Sequence, residues 1–596
     1  MPAAKPLLTV EGLSVAFGRG KDAALVVEDV WFTLRRGETL AIVGESGSGK
    51  TITGKALLRI LPKSASITGG RAIFAGRDGD EVDLFSVSDR RIRAIRGGRI
   101  SMVFQEPMSS LSPLHTIGAQ VAEAVRLHQP TTGAEVKARC LEIFTDVGFP
   151  DPERAWLAYP FELSGGLRQR AMIAMAMVCK PDLMIADEPT TALDVTTQAQ
   201  VLDLIRTLQA DTGMALILVT HDLGVVANMA DQVTVMRRGR VVEAGPVARV
   251  LSAPQHGYTK ALIAAAPELP IDGGRDGRAT PDPIFWAKGL SKTYHGRSRA
   301  FGAPAQVVKA VRDIELTVGR GETLAIVGES GSGKSTVAKL MLRAEEPDPG
   351  ATVGFRGRDG REEDVLAMSG AQLKAFRRRV QIVFQDPYAS LSPRMSVLDI
   401  LTEPLRIHKI GNNAAERRDR AAALMQRVGL SPDHLGRFPH AFSGGQRQRI
   451  SIARALALQP ELLVCDEPTS ALDVSVQAQV LELLKELRDE MGLSYLFISH
   501  DLTVVADLAD RVAVMRRGLV LEEGPARALF TNPTHPYTRA LIAASPEPDL
   551  NRRLDLAAVA RGAGQPETWA DPWRYEGDAA PSLQEIAPGH FVRCAA

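Results

Sequence analysis

The chain has 596 residues, and at about 150 residues per domain that length holds roughly four compact units. Hydrophobic residues make up 45% and charged residues 24%, ordinary values for a protein with real cores. Lys+Arg 71 against Asp+Glu 70 leaves a formal charge of +1, which argues against a polybasic nucleic-acid binder. No run approaches the roughly eighteen consecutive apolar residues of a membrane helix.

In chain order, the opening MPAAKPLLTVEG has no signal-peptide core and passes into an alternating strand pattern. TLAIVG (39–44) follows, an apolar run of strand length, and leads into Gly44-Glu45-Ser46-Gly47-Ser48-Gly49-Lys50-Thr51. This matches G-x-x-x-x-G-K-[ST] in the required strand-to-helix context. Glycines there let successive backbone N–H groups converge on phosphate oxygens at a helix N-terminus. Lys50 is expected to reach the β- and γ-phosphates, and Thr51 to place its hydroxyl on Mg²⁺. LMIAD (183–187) ends a second apolar strand on Asp187 and Glu188. Asp187 is expected in the Mg²⁺ shell, while Glu188 orients or deprotonates water. LILVT (216–220) precedes His221. Strands that are apolar throughout, alternating with helical stretches such as 165–179 and 196–209, predict a mostly parallel sheet covered on both faces, hence an α/β fold.

The whole pattern then repeats. Gly328-Glu329-Ser330-Gly331-Ser332-Gly333-Lys334-Ser335 restates the phosphate loop, and LLVCDE ends on Asp466 and Glu467. Ser164 and Ser443, Asp187 and Asp466, and His221 and His500 are all 279 residues apart, so one domain is duplicated with early indels. Ser335 and Asp466 take the second metal role. Residues 7–265 form the first unit and 284–545 the second. The Pro- and Gly-rich 266–283 reads as a flexible linker, and 546–596 as a weakly ordered tail. Four cysteines form no CxxC pair.

These residues resemble the ATP-binding cassette ATPases, two P-loop NTPase domains each with a RecA-like core and a helical subdomain. LSGGLRQR (163–170) and FSGGQRQR (442–449) carry the signature, with Ser164, Gly165, Gly166, Ser443, Gly444 and Gly445 expected to bind ATP. The resemblance implies that Gln105 and Gln385 link the metal site to a membrane partner. It also implies that Asp194 and Asp473 form the D-loops, and that His221 and His500 contact the γ-phosphate. Phe17 and Tyr294 stand where such proteins stack an aromatic on adenine. Head-to-tail pairing would combine Lys50, Glu188 and His221 with Ser443, and Lys334, Glu467 and His500 with Ser164. Leu167 stands where the second copy has Gln446, so the two sites need not be equivalent; both are expected to hydrolyse ATP.

QEPMSSLSP (from Gln105), QDPYASLSP (from Gln385), QHGYTKAL and THPYTRAL resemble the oligopeptide/dipeptide/nickel importer subfamily. This implies a peripheral protein on the cytoplasmic face of the bacterial inner membrane. Its partners would be two transmembrane permease subunits and an extracytoplasmic solute-binding protein, with no nucleic acid. The cargo would be peptides or peptide-like solutes, glutathione among them. The alternative is a soluble twin-cassette ATPase acting on ribosomes or DNA, but the short linker and the missing CxxC count against it. The closing LQEIAPGHFVRCAA resembles a segment that holds an iron–sulfur cluster in relatives. With Cys594 as its one cysteine, no cluster is expected.

Overall fold

The computed structural model describes residues 5–18, 23–77, 79–191, 193–266, 269, 282–296, 307–470, 472–577 and 579–595. The linker lies outside these except for Ala266, Leu269, Asp282 and Pro283. Each copy contains two sheets. The central sheet of the first copy runs Arg240–Pro246, Gln232–Arg237, Thr39–Val43, Ala215–Thr220, Leu183–Asp187, Ile100–Val103, parallel except at its first pair. Thr39–Val43, Leu183–Asp187 and Ala215–Thr220 are buried at every position, as expected for strands with both faces covered.

A second, antiparallel sheet orders Ala24–Leu34, Leu8–Phe17, Ala65–Ala75 and Glu81–Asp83, and periodicity did not separate it from the core. It brings the Val26 carbonyl against the phosphate loop. A lobe of helices Ile117–His128, Gly133–Asp146, Pro152–Leu157 and Gly165–Met177 closes on its own apolar cluster around Val121, Val125, Phe144 and Ile173.

The second copy repeats this plan, with Thr323–Val327, Leu462–Asp466 and Ser494–Ser499 in the equivalent core positions. Its sheet differs at one edge. The expectation of a weakly ordered tail is corrected here. The strand His590–Arg593 pairs antiparallel with Leu519–Pro525, and Leu583–Ala587 pairs outside it, so the sheet has eight strands. A tail helix, Leu556–Ala563, buries Val559. The tail is poor in apolar residues, but Val559, Trp569, Tyr575 and Val592 all reach burial against a surface that already exists. Composition counts apolar groups without seeing the surface that receives them.

The cassettes pack face to face. Val195 and Ala199, on the helix Val195–Thr212 of the first, belong to the apolar cluster of the second, as does Leu269. In return, Leu550 and Leu554 of the tail pack on clusters of the first cassette.

Candidate functional site: two phosphate loops facing across the cassettes

In the first loop, Gly44 has φ +151 and a Cβ there would stand 2.2 Å from the Met236 carbonyl oxygen, so only glycine fits. Gly49 caps the helix Lys50–Leu57 in the left-handed region. Lys50, 5% exposed, lies across its own loop and donates from Nζ to the carbonyls of Gly44 (2.6 Å) and Glu45 (2.9 Å). Burial lowers its pKa, offset in part by the charges of Glu188, Asp473 and Asp187. The Ser48 hydroxyl is buried with no partner. The second loop matches. Lys334 donates to the carbonyls of Gly328 (2.7 Å) and Glu329 (2.9 Å), and the Ser332 hydroxyl is likewise unsatisfied. Buried loops with a lysine and a spare hydroxyl, opening a helix, fit a polyphosphate.

The carboxylates arrange themselves around these loops. The Thr51 hydroxyl donates to Asp187 Oδ1 at 2.9 Å, and Ser335 to Asp466 Oδ1 at 3.0 Å. Burial raises the pKa of both aspartates, and the hydroxyl bonds offset this in part. A hydroxyl and a carboxylate side by side form the oxygen-donor set that Mg²⁺ takes together with phosphates.

Glu188 and Glu467 follow one residue later, both with φ +47, outside the usual region for a side-chain-bearing residue. The neighbouring strand holds each there, through Glu188 N–H to the Val219 carbonyl and Glu467 N–H to the Ile498 carbonyl, both 2.9 Å. Such strain persists where surrounding structure over-determines it. It aims Glu188 so that Gln105 Nε2 (2.8 Å) and the Thr191 hydroxyl (2.9 Å) donate to Oε2, and His221 Nδ1 lies 3.2 Å from Oε1. In the second site Gln385 Nε2 (2.8 Å) and His500 Nδ1 (3.1 Å) meet Glu467 Oε2. Burial alone would raise these carboxyls, but the histidine bonds and charges hold both below the usual range. Burial would lower the histidines, and the glutamates raise them instead. A carboxylate kept charged next to a histidine is suited to orient water or accept its proton.

Across the cassettes, the Ser46 backbone N–H donates to Asp473 Oδ1 at 2.9 Å, and the Thr196 hydroxyl to Glu329 Oε1 at 3.4 Å. The D-loop regions thus reach the opposite phosphate loops. Ser164 and Ser443 are exposed and cap the helices Gly165–Met177 and Gly444–Leu456. Their hydroxyls accept from their own helices, Leu167 N–H at 3.4 Å and Gln446 N–H at 3.3 Å. Gln446 returns a second bond, with its Oε1 accepting the Ser443 N–H at 3.1 Å, which Leu167 cannot do for Ser164.

Phe17 ends its strand half-buried, paired with Ala24 and Ala65. Tyr294 is 37% exposed, and its hydroxyl bonds to Glu345. The four thiols are dispersed. Cys140 and Cys179 lie in the first helical lobe, Cys465 lies in the second core, and Cys594 in the tail is half-buried. Burial pushes Cys140 up to about 11, away from the thiolate that a cluster needs.

Sequence reasoning missed one pair. The Tyr258 hydroxyl accepts the Glu45 backbone N–H, and the Tyr537 hydroxyl that of Glu329, each at 3.1 Å. The signal was present in HGY and HPY at matched positions, but spacing alone does not show where an extension folds back.

Two such loops, each followed by a buried Asp–Glu pair with a histidine on the glutamate, define an ATPase of the cassette type. The ABC transporter family model matches residues 27–191 and again 311–470, and the chain belongs to that family. It is an ABC transporter ATPase. The oligopeptide/dipeptide transporter C-terminal region matches residues 242–288 and 521–568, the stretches that hold Tyr258 and Tyr537. The chain is similar to the glutathione import ATP-binding protein GsiA of Salmonella choleraesuis (strain SC-B67), 45% identical over 615 residues, covering 99% of this chain and 97% of that one. It is 43% identical to the protein of the same name from Escherichia coli (strain K12) over 612 residues, covering 98% and 96%.

Proposed function

We propose that this chain is the energy-coupling subunit of a binding-protein-dependent importer for peptides or peptide-like solutes, with glutathione the first candidate cargo. Both sites hydrolyse Mg²⁺-ATP. Lys50 and Lys334 bind the β- and γ-phosphates, Thr51, Asp187, Ser335 and Asp466 hold the ion, and Glu188 and Glu467 position the attacking water. Full-length similarity to GsiA supports this cargo class, and the match to the oligopeptide/dipeptide region argues against a ribosome or DNA factor.

The observation that carries the coupling is the bond from each Q-loop glutamine to the catalytic glutamate, Gln105 to Glu188 and Gln385 to Glu467, both 2.8 Å. Just beyond these glutamines the surface is apolar and open, with Met108 55%, Leu114 81% and Tyr388 64% exposed. Tyr388 also lies under the Arg447 guanidinium, 3.8 Å from its ring centroid, joining the Q-loop to the signature helix. A permease helix seated here senses the glutamate through one side chain. No helix of the described residues is long and apolar enough to cross a membrane, so the translocation path belongs to two permease chains on whose cytoplasmic side this subunit sits. An extracytoplasmic binding protein delivers solute to them.

The test is reconstitution of the chain with the permease pair and binding protein encoded beside it. ATP-driven uptake of labelled glutathione or dipeptide into vesicles, lost in Glu188→Gln, supports the reading. A chain that forms no complex with those permeases, or uptake indifferent to ATP, refutes it.

A further inference from the structure

Both cassettes place a cation on the tyrosine that holds the phosphate loop, but their surroundings differ. Arg237 and Arg516 each lie 4.7 Å over the ring of Tyr258 or Tyr537. Arg237 is exposed. The Arg516 side chain is only 5% exposed, because the C-terminal tail folds over it. Its Nη1 donates to the Gly564 carbonyl at 2.8 Å and its Nη2 to the Ala563 carbonyl at 2.6 Å. These carbonyls end the helix Leu556–Ala563, where the helix dipole favours a cation. Trp569 lies 5.2 Å from the same guanidinium. Its own Nε1–H donates to the Gly562 carbonyl at 3.1 Å, and its ring meets His535 edge-on at 4.9 Å. Arg516 Nε stands 3.9 Å from Glu329 Oε2, while the other oxygen of Glu329 takes the Thr196 hydroxyl of the first cassette.

We infer that residues 546–595 act as a single-copy positioning element for the second ATP site, with Arg516 transmitting tail docking to the phosphate loop through Tyr537 and Glu329. The physical path is short. A docked tail fixes the guanidinium, the guanidinium fixes the Tyr537 ring, and the ring's hydroxyl fixes the Glu329 amide at the start of the loop. Unfixing the tail removes order that nucleotide must then restore on binding, so the second site binds ATP more weakly while its saturated state is unchanged. The first site has the tyrosine and the arginine but no tail over them, so it serves as an internal control. The inference rests on the reading of both loops as ATP sites.

The experiment photolabels the full chain with 8-azido-ATP and Mg²⁺ over a concentration series. Peptide mass spectrometry reads each cassette's share of label. Arg516→Met and Trp569→Ala are each expected to raise the half-saturating concentration of the second cassette several-fold, with labelling restored at saturation and the first cassette unchanged within twofold. Unchanged half-saturation in the second cassette, or an equal fall in both, overturns the inference. Wild-type protein that takes no label at all overturns the ATP reading and this inference with it.

Discussion

The backbone N–H of Ser46 and the Oδ1 of Asp473 lie 2.9 Å apart across 427 residues of chain. One partner belongs to a phosphate loop and the other to the opposite cassette's D-loop, so neither nucleotide site is the property of one cassette. Asp473 also helps keep Lys50 charged against its burial. A hydrogen bond to a charged group contributes about 1.5–3 kcal/mol. Asp473→Ala is therefore expected to lower kcat/KM for ATP about tenfold or more, measured by steady-state phosphate release. An unchanged value would mean that the contact is incidental.

The strained glutamates set a second expectation. Gln keeps the shape and most of the hydrogen bonds of Glu188 or Glu467 but cannot accept a proton as a carboxylate does. Glu188→Gln and Glu467→Gln should each lose most ATPase activity while still binding ATP, checked by turnover and equilibrium binding on the same preparations. Full activity in either variant would remove that glutamate from the chemistry.

The signature helices differ by one reciprocal bond. Gln446 accepts the Ser443 N–H, and a net hydrogen bond contributes about 0.5–1.5 kcal/mol. Gln446→Leu, which copies the first cassette, should lower the urea midpoint of the second helical lobe by an amount in that range, followed by hydrogen exchange of the helix Gly444–Leu456. Leu167→Ala leaves the Ser164 cap intact, because Leu167 contributes only its backbone N–H there.

His535 gives a pH dependence of known sign. It is fully buried, its Nδ1 accepts the Tyr537 N–H at 3.1 Å, and burial pushes its pKa down to about 3. Above the ordinary value of about 6.5 both folded and unfolded forms are neutral, so it contributes no slope. As pH falls below 6.5 the unfolded chain takes up a proton that the folded one refuses. Stability is then lost, by at most about 1.4 kcal/mol per pH unit. The neighbouring Glu522 is held below the usual carboxyl range and so titrates lower than this window. His535→Asn, which retains an acceptor for the Tyr537 N–H, should flatten the stability profile between pH 6.5 and 5, measured by urea unfolding. An equally steep profile would show that His535 is protonated in the fold.

Much of the site was legible because its chemistry is local. A phosphate loop, an Asp–Glu pair after a strand, and a histidine after the next strand are short patterns, and the duplication tested each against its copy. The structure joins Gln105, Glu188 and His221, and their second-copy counterparts, as the motifs anticipated. The tyrosines were illegible in role, since Tyr258 reaches Glu45 across 213 residues and no spacing rule connects them. The tail was misjudged for a related reason: Trp569 and Val592 are few, but each is buried by a partner far away in sequence.

The account's central claim is that one chain builds two ATP sites between its two cassettes. The most direct measurement is the number of ATP molecules retained by the Glu188→Gln, Glu467→Gln double variant, counted against protein while light scattering gives the mass of the species that holds them. Two ATP per 64.2 kDa monomer is the expected result. One per monomer, or two only in a species of twice that mass, would contradict it.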